Sequence, residues 1–307
     1  MNLNLRRQFE NASHATALLA PLLDTASKLA TETIPVGQIT AARFLVQGAL
    51  MVPVALLMGY SWRLGRRDAG LLLARAVFLL ASTYGFVAGV QVMPIADALA
   101  IVFVEPFILL ILGYLIFGDH IGPRRIIASI VGFIGALFVI QPSITAFGLV
   151  ALFPLLSAFC FAAYMLVTRA MASSVPPVMQ QLHTSIAGSL ICLPIIAIAD
   201  VTHWPTLDPV MPQGLAWLWL FGVGFWAAVS HMCMTYALKF APSATLAPLH
   251  YSEIVAAVAL GYLVFGDFPN WMTWCGIAVI VSSGLYIIHR ERLGHMAKRR
   301  ASITLPP

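Results

Sequence analysis

At 307 residues the chain is long enough for two soluble domains, but it is 60% hydrophobic and 9% charged, with a mean hydropathy of +0.90. Soluble proteins carry about a quarter of their residues charged, so the composition points to an integral membrane protein. A spanning helix takes about 20 apolar residues, so ten of them use about two thirds of the chain and leave no room for a soluble catalytic domain.

Apolar runs read against breakers and charges predict helices over 12–31, 36–58, 69–92, 94–117 and 123–141. A second set follows over 146–169, 178–199, 212–238, 243–265 and 271–289. Arg6 and Arg7 ahead of Ala15 to Leu23 give the start the look of a signal peptide, but Pro21, Asp24 and Lys28 interrupt it. It is read as a retained first helix. The net charge of +5 falls in alternate connections, at Arg63, Arg66 and Arg67, Arg124 and Arg125, Arg169, Lys239, and the tail from Arg290 to Arg300. That alternation is the positive-inside pattern, not a nucleic-acid face. It predicts a multi-pass protein of the cytoplasmic (inner) membrane with both termini cytoplasmic. The expected organisation is a tail over 1–11, one five-helix repeat over 12–141, a second over 146–289 and a basic tail over 290–307. Cys160, Cys192, Cys233 and Cys275 sit in apolar runs without C-x-x-C spacing and read as small buried hydrophobes.

Laying Pro94 to Asp119 on Pro242 to Asp267 matches ten of twenty-six positions, including Glu105 with Glu253 and Phe117-Gly118-Asp119 with Phe265-Gly266-Asp267. Five spans per copy is an odd number, so equivalent residues enter the membrane from opposite faces and the copies are inverted. Inverted repeats characteristically hold a substrate site between them near the midplane.

Glu105 and Glu253 fall near the centres of the fourth and ninth predicted spans, where an ionisable side chain is costly and marks a site, a proton relay or a packing hydrogen bond. His250 shares a helical face with Glu253, beside Tyr251, and Pro248 frees a carbonyl one turn away. Zinc needs three or four ligands, and no H-E-x-x-H or C-x-x-C completes a shell, so no metal is expected. Asp24 and Lys28 are four apart and can neutralise one another. Arg43 suits a carboxylate or phosphate, or an ion pair with Asp24 or Glu32. Tyr84, Tyr164 and Trp226 are candidate ligand-flanking aromatics, and Trp62, Trp204, Trp217 and Trp271 read as interfacial anchors. Gly85 with Gly89, and Ala128, Gly132 and Ala136, carry the small-residue spacing of close helix packing.

Pro94-Ile95-Ala96-Asp97-Ala98-Leu99-Ala100, Glu105-Pro106, Gly113 to Asp119 and Gly132-Phe133-Ile134-Gly135-Ala136 resemble the fourth and fifth helices of the drug/metabolite transporter superfamily, in its ten-helix EamA type. The resemblance runs from about residue 12 to 290. Asp24, Lys28, Pro35, Gln38 and Arg43 look like the first two helices of a subset containing riboflavin and S-adenosylmethionine importers. Two departures stand out: Asp119 and Asp267 where glutamate is usual, and Glu253-Ile254 where Glu-Pro is expected. The resemblance implies an all-α bundle in which helices one to four and six to nine surround a cavity lined by Asp24, Lys28, Arg43, Glu105, His250 and Glu253.

The leading expectation is a secondary transporter of a small polar organic metabolite, working by alternating access. Riboflavin or S-adenosylmethionine import stands against export of amino acids or other metabolites. An intramembrane enzyme without transport activity is the alternative, with no G-x-S-x-G to support it. A channel finds no selectivity ring in the chain. No cofactor is expected, and G-x-x-x-x-G-K-[ST] is absent. The expected partners are a small-molecule substrate and membrane lipid, with a homodimer left open and no nucleic acid.

Overall fold

The computed structural model describes residues 19–118, 123–204, 207–240 and 256–286, and all regular structure among them is helical. The first half contains α1 (19–31), α2 (Val36–Leu57), α3 (Arg66–Val92), α4 (Ile95–Val102), α5 (Glu105–Phe117) and α6 (Pro123–Phe147). A 3-10 turn at Gly148–Ala151 leads into α7 (Leu152–Ala170), followed by α8 (Pro177–Thr202) and α9 (Ala216–Phe240). α10 (Ala256–Phe265) and α11 (Trp271–Tyr286) complete the described chain. Six stretches among the described residues are long and apolar enough to cross a membrane, with α4 and α5 together forming one of 23 residues. The protein is thus an all-α, polytopic membrane protein.

Prolines set the starts of α2, α4 and α8, where Pro35, Pro94 and Pro176 stand at the N-cap in extended backbone. Proline has no N–H, and the first helical turn needs none. Several predicted boundaries differ. The fifth helix runs on past Pro142 to Phe147, and α3 begins three residues early, at Arg66. The eighth starts at Ala216 because Pro212 and the left-handed Gly214 (φ 52) hold the preceding chain out of a helix. Trp62, Trp204, Trp217 and Trp271 are all exposed, as interfacial anchors require. Cys160 and Cys192 are buried as expected, whereas Cys275 is exposed on α11, an outer position where a small apolar side chain meets lipid at no cost.

The bundle is held by α3 lying along α7 and by α2 lying along α8 and α9. The Gly85 and Gly89 spacing serves the first of these contacts. A Cβ on Gly85 would stand 2.8 Å from the Phe153 carbonyl oxygen, and one on Gly89 2.7 Å from Cγ of Pro154. Backbone cannot rotate aside as a side chain can. Gly85→Ala is therefore expected to destabilise the bundle by about 1–3 kcal/mol, the usual cost of overpacking. A melt of purified protein in detergent checks this, and an unaltered midpoint would show that α3 and α7 can part there freely. Gly132 works similarly, admitting the Phe107 ring into the space that a Cβ would fill.

Two loop contacts fix the sense of the repeats. Ser174, between α7 and α8, donates to Asp68 at 2.9 Å, so this connection shares one end of the bundle with Arg63, Arg66, Arg67 and Arg169. Gln38 clasps the backbone of Val210 through two bonds of 2.9 Å, which puts the α1–α2 and α8–α9 connections together at the other end. α1 and α7 are each the first described helix of their half, yet they finish at opposite ends. The halves run through the bundle inverted.

Candidate functional site

The fourth span is broken at its centre. Phe103 closes α4 with a 2.9 Å bond to Leu99, and Pro106 has no N–H to give the Val102 carbonyl, so the helix restarts at Glu105. Glu105 thereby occupies the first turn of α5, where unsatisfied N–H groups favour a carboxylate. Two adjoining hollows open beside this break, sharing Leu23, Leu99, Val102, Phe161 and His231. Asp24, Ser27, Arg43, Ser82, Thr83 and Ser157 face the larger one. Glu105 and Ser230 face the smaller. α1, α2, α3, α4, α5, α7 and α9 supply the walls, so both halves contribute, and both signs of charge are present in a low-dielectric interior.

Arg43 is 2% exposed and places Nη2 2.8 Å from Nε2 of His231. Guanidinium only donates, so Nε2 accepts and the ring proton sits on Nδ1, which stands 3.3 Å from the Tyr164 hydroxyl. Phe161 stacks on Tyr164 (centroids 5.5 Å) and meets His231 edge-on at 5.9 Å, which fixes the imidazole plane. Nε of Arg43 and Oγ of Ser230 are buried without a hydrogen-bond partner among the described residues. Buried donors of this kind are uncommon in folded proteins.

Behind Tyr164 lies Arg75, with no exposed surface. Its Nε donates to Thr168 (2.8 Å), Nη1 to the Gln180 carbonyl (3.0 Å) and to Thr184, and Nη2 to the Tyr164 hydroxyl (2.8 Å). The guanidinium also stands 4.5 Å over the Tyr164 ring. Gln181 extends the network, donating to Thr235 and the His231 carbonyl at 2.8 Å each, and it accepts from Gln47 at 2.8 Å. Five helices, α2, α3, α7, α8 and α9, are thus tied by one polar layer beneath the hollow.

Of the residues singled out in the sequence, Asp24, Arg43 and Glu105 come together at the hollow, with Tyr164 one layer behind. Lys28 does not join them. It forms an ion pair with Asp267 (2.6 Å) rather than neutralising Asp24, and Arg43 hydrogen-bonds His231 rather than pairing with Glu32. Tyr84 and Trp226 are not among the residues that line the two hollows. Both belong to an apolar cluster of α1, α2, α3 and α9, Tyr84 edge-on to Phe153 and Trp226 to Phe225. His250 and Glu253 lie outside the described residues. No cluster of three or more His, Cys, Asp or Glu occurs among the described residues. Sequence reading missed Arg75, His231, Gln47 and Gln181. The signal was present, because Arg75 and His231 are ionisable residues inside predicted spans 69–92 and 212–238.

A family model described as the EamA-like transporter family matches residues 14–141 and 148–289. The chain belongs to the EamA-like transporter family. It is accordingly a membrane transporter and not an enzyme. A riboflavin transporter of Rhizobium johnstonii is 30% identical over 224 residues, covering 71% of this chain and 70% of that one. An S-adenosylmethionine uptake transporter of Rickettsia prowazekii is 23% identical over 227 residues, 74% of each chain. A solved crystal structure superposes with a TM-score of 0.65 at 17% identity, covering 89% of this chain and 95% of the other, and so shares the EamA-type fold.

Proposed function

We propose that this EamA-like transporter imports a small polar metabolite bearing a flat heteroaromatic ring, across the cytoplasmic membrane, by alternating access between its inverted halves. The observation that carries the reading is the central hollow, which both halves line and which presents Asp24, Arg43 and Glu105 beside the Phe161 ring. The names of the two relatives support this class. Riboflavin and S-adenosylmethionine each join a flat ring system to a polar tail, matching an aromatic wall next to charges of both signs. The positive-inside pattern of the arginines supports cytoplasmic termini, with the Ser174–Asp68 end facing inward. Glu105 is the assigned coupling group, exchanging a proton as the hollow opens to water.

Uptake of labelled riboflavin, S-adenosylmethionine and amino acids into proteoliposomes tests the class, with thermal shift of the purified protein as a binding readout. A solute at a hundred times its Kd adds about 2.7 kcal/mol to the stability of the form it binds. Glu105→Gln is expected to lower saturable, pH-driven uptake at least about tenfold, one charge-assisted hydrogen bond being worth that much. Undiminished uptake would remove Glu105 from the coupling step. Stabilisation and uptake confined to amino acids would replace the proposed ring-bearing substrate.

A further inference from the structure

Two contacts at opposite ends of the bundle are built from matching positions of the two halves. Lys28 lies seven residues before Pro35, the N-cap of α2, and Arg169 lies seven before Pro176, the N-cap of α8. The two prolines hold the same backbone, φ −61 and ψ 145 against φ −58 and ψ 145. Phe117 and Phe265 also correspond, each followed by a left-handed glycine that ends its helix, Gly118 at φ 65 and Gly266 at φ 71. The Lys28 ammonium stands 4.7 Å from the centre of the Phe265 ring, and the Arg169 guanidinium 4.5 Å from the centre of the Phe117 ring. In both cases the first helix of one half grips the end of the fourth span of the other.

These contacts flank the hollow. Lys28 stands at the Gln38–Val210 end and Arg169 at the Ser174–Asp68 end. Among the side-chain ties between the halves, they join one half's first helix to the tip of the other half's fourth span. We propose that Lys28 with Phe265 and Asp267, and Arg169 with Phe117, are the paired gates of the transport cycle, one at each face and released in turn. The proposal rests on the alternating-access reading above.

The geometry suits a reversible gate. A cation over an aromatic face is attracted by the ring quadrupole, strongly enough to bias an equilibrium and weakly enough to part in each turnover. At the Lys28 end the ammonium also bonds Asp267 at 2.6 Å, and α10 finishes there in a π turn, Gly261–Phe265. Asp119, the counterpart of Asp267, lies outside the described residues. In the structure both contacts are made. Loss of one contact removes a bias toward closure at that face alone, tilting the population about threefold to tenfold toward opening there.

The test uses Ser230→Cys as a reporter in the hollow, in a chain whose four native cysteines are replaced by alanine. Rates of reaction with a membrane-impermeant maleimide are measured from each face of oriented vesicles. Lys28→Ala is expected to raise the ratio of outside to inside labelling about threefold to tenfold, and Arg169→Ala to lower it by a similar factor. The double variant returns close to the starting ratio, and Lys28→Arg and Arg169→Lys leave it in place. Phe265→Leu and Phe117→Leu repeat the comparison should an alanine variant fail to accumulate. A reporter that labels from both faces, with a ratio unmoved or moved in one direction by both variants, overturns the gates and leaves alternating access standing. A reporter that labels from neither face in the unaltered chain overturns both.

Discussion

Replacing Arg75 by leucine is expected to lower the unfolding free energy by about 3–5 kcal/mol, because it strands several buried neutral acceptors at about 1–3 kcal/mol each. The variant leaves Thr168, Thr184, the Gln180 carbonyl and Tyr164 without their shared donor, and none of these groups has surface through which water could substitute. Lysine is no remedy. A single ammonium on a flexible stem cannot reproduce a planar fork that serves three helices and caps an aromatic ring. The expected result is poor recovery of monodisperse protein and a marked fall in the detergent melting midpoint for both variants. Near-normal melting of Arg75→Leu would mean that the layer beneath the hollow is not what holds α3, α7, α8 and α9 together.

The second large effect is expected at Arg43. Its guanidinium faces the hollow, holds His231 in one tautomer and keeps one buried N–H in reserve. Arg43→Gln keeps a donor on a shorter side chain and removes the charge, so an anionic or strongly polar solute group loses a charge-assisted bond worth about 1.5–3 kcal/mol. Uptake kinetics are expected to show a KM raised about ten- to hundredfold with a smaller change in maximal rate, the pattern of lost ground-state binding. Melting should change little, because fewer partners depend on Arg43 than on Arg75. If Arg43→Gln folds and transports with an unchanged KM, the solute does not pass this wall of the hollow.

Much of the membrane architecture was legible in the residues, for a simple reason. Hydrocarbon demands long apolar helices, so α2, α3, α7 and α8 announce themselves by composition, and Pro35 and Pro176 mark where two of them begin. The candidate site was legible only in part. Asp24, Arg43 and Glu105 stand out because an ionisable group inside a span is costly, and the same argument applied to Arg75 and His231 would have found the rest. Partner choice was harder. Asp24 and Lys28 are neighbours on a helix face, yet the cation reaches Asp267, 239 residues away, because tertiary packing and not helical spacing brought that carboxylate within range. Tyr84 and Trp226 illustrate the converse. An aromatic ring carries no mark in the chain that distinguishes a ligand wall from a seam between helices.

The interruption between Val102 and Glu105 has a mechanical meaning. Ile95 to Ile101 are buried all round, whereas Ile111, Tyr114, Leu115 and Ile116 look outward, so the two pieces of this span answer to different neighbours. A continuous rod would have to bend, lengthening hydrogen bonds along one side. A jointed one moves by turning about a few backbone torsions, like a knee, and its upper part can stay locked in place while the lower part swings. Glu105 sits at the joint itself, so any such swing carries the carboxylate with it.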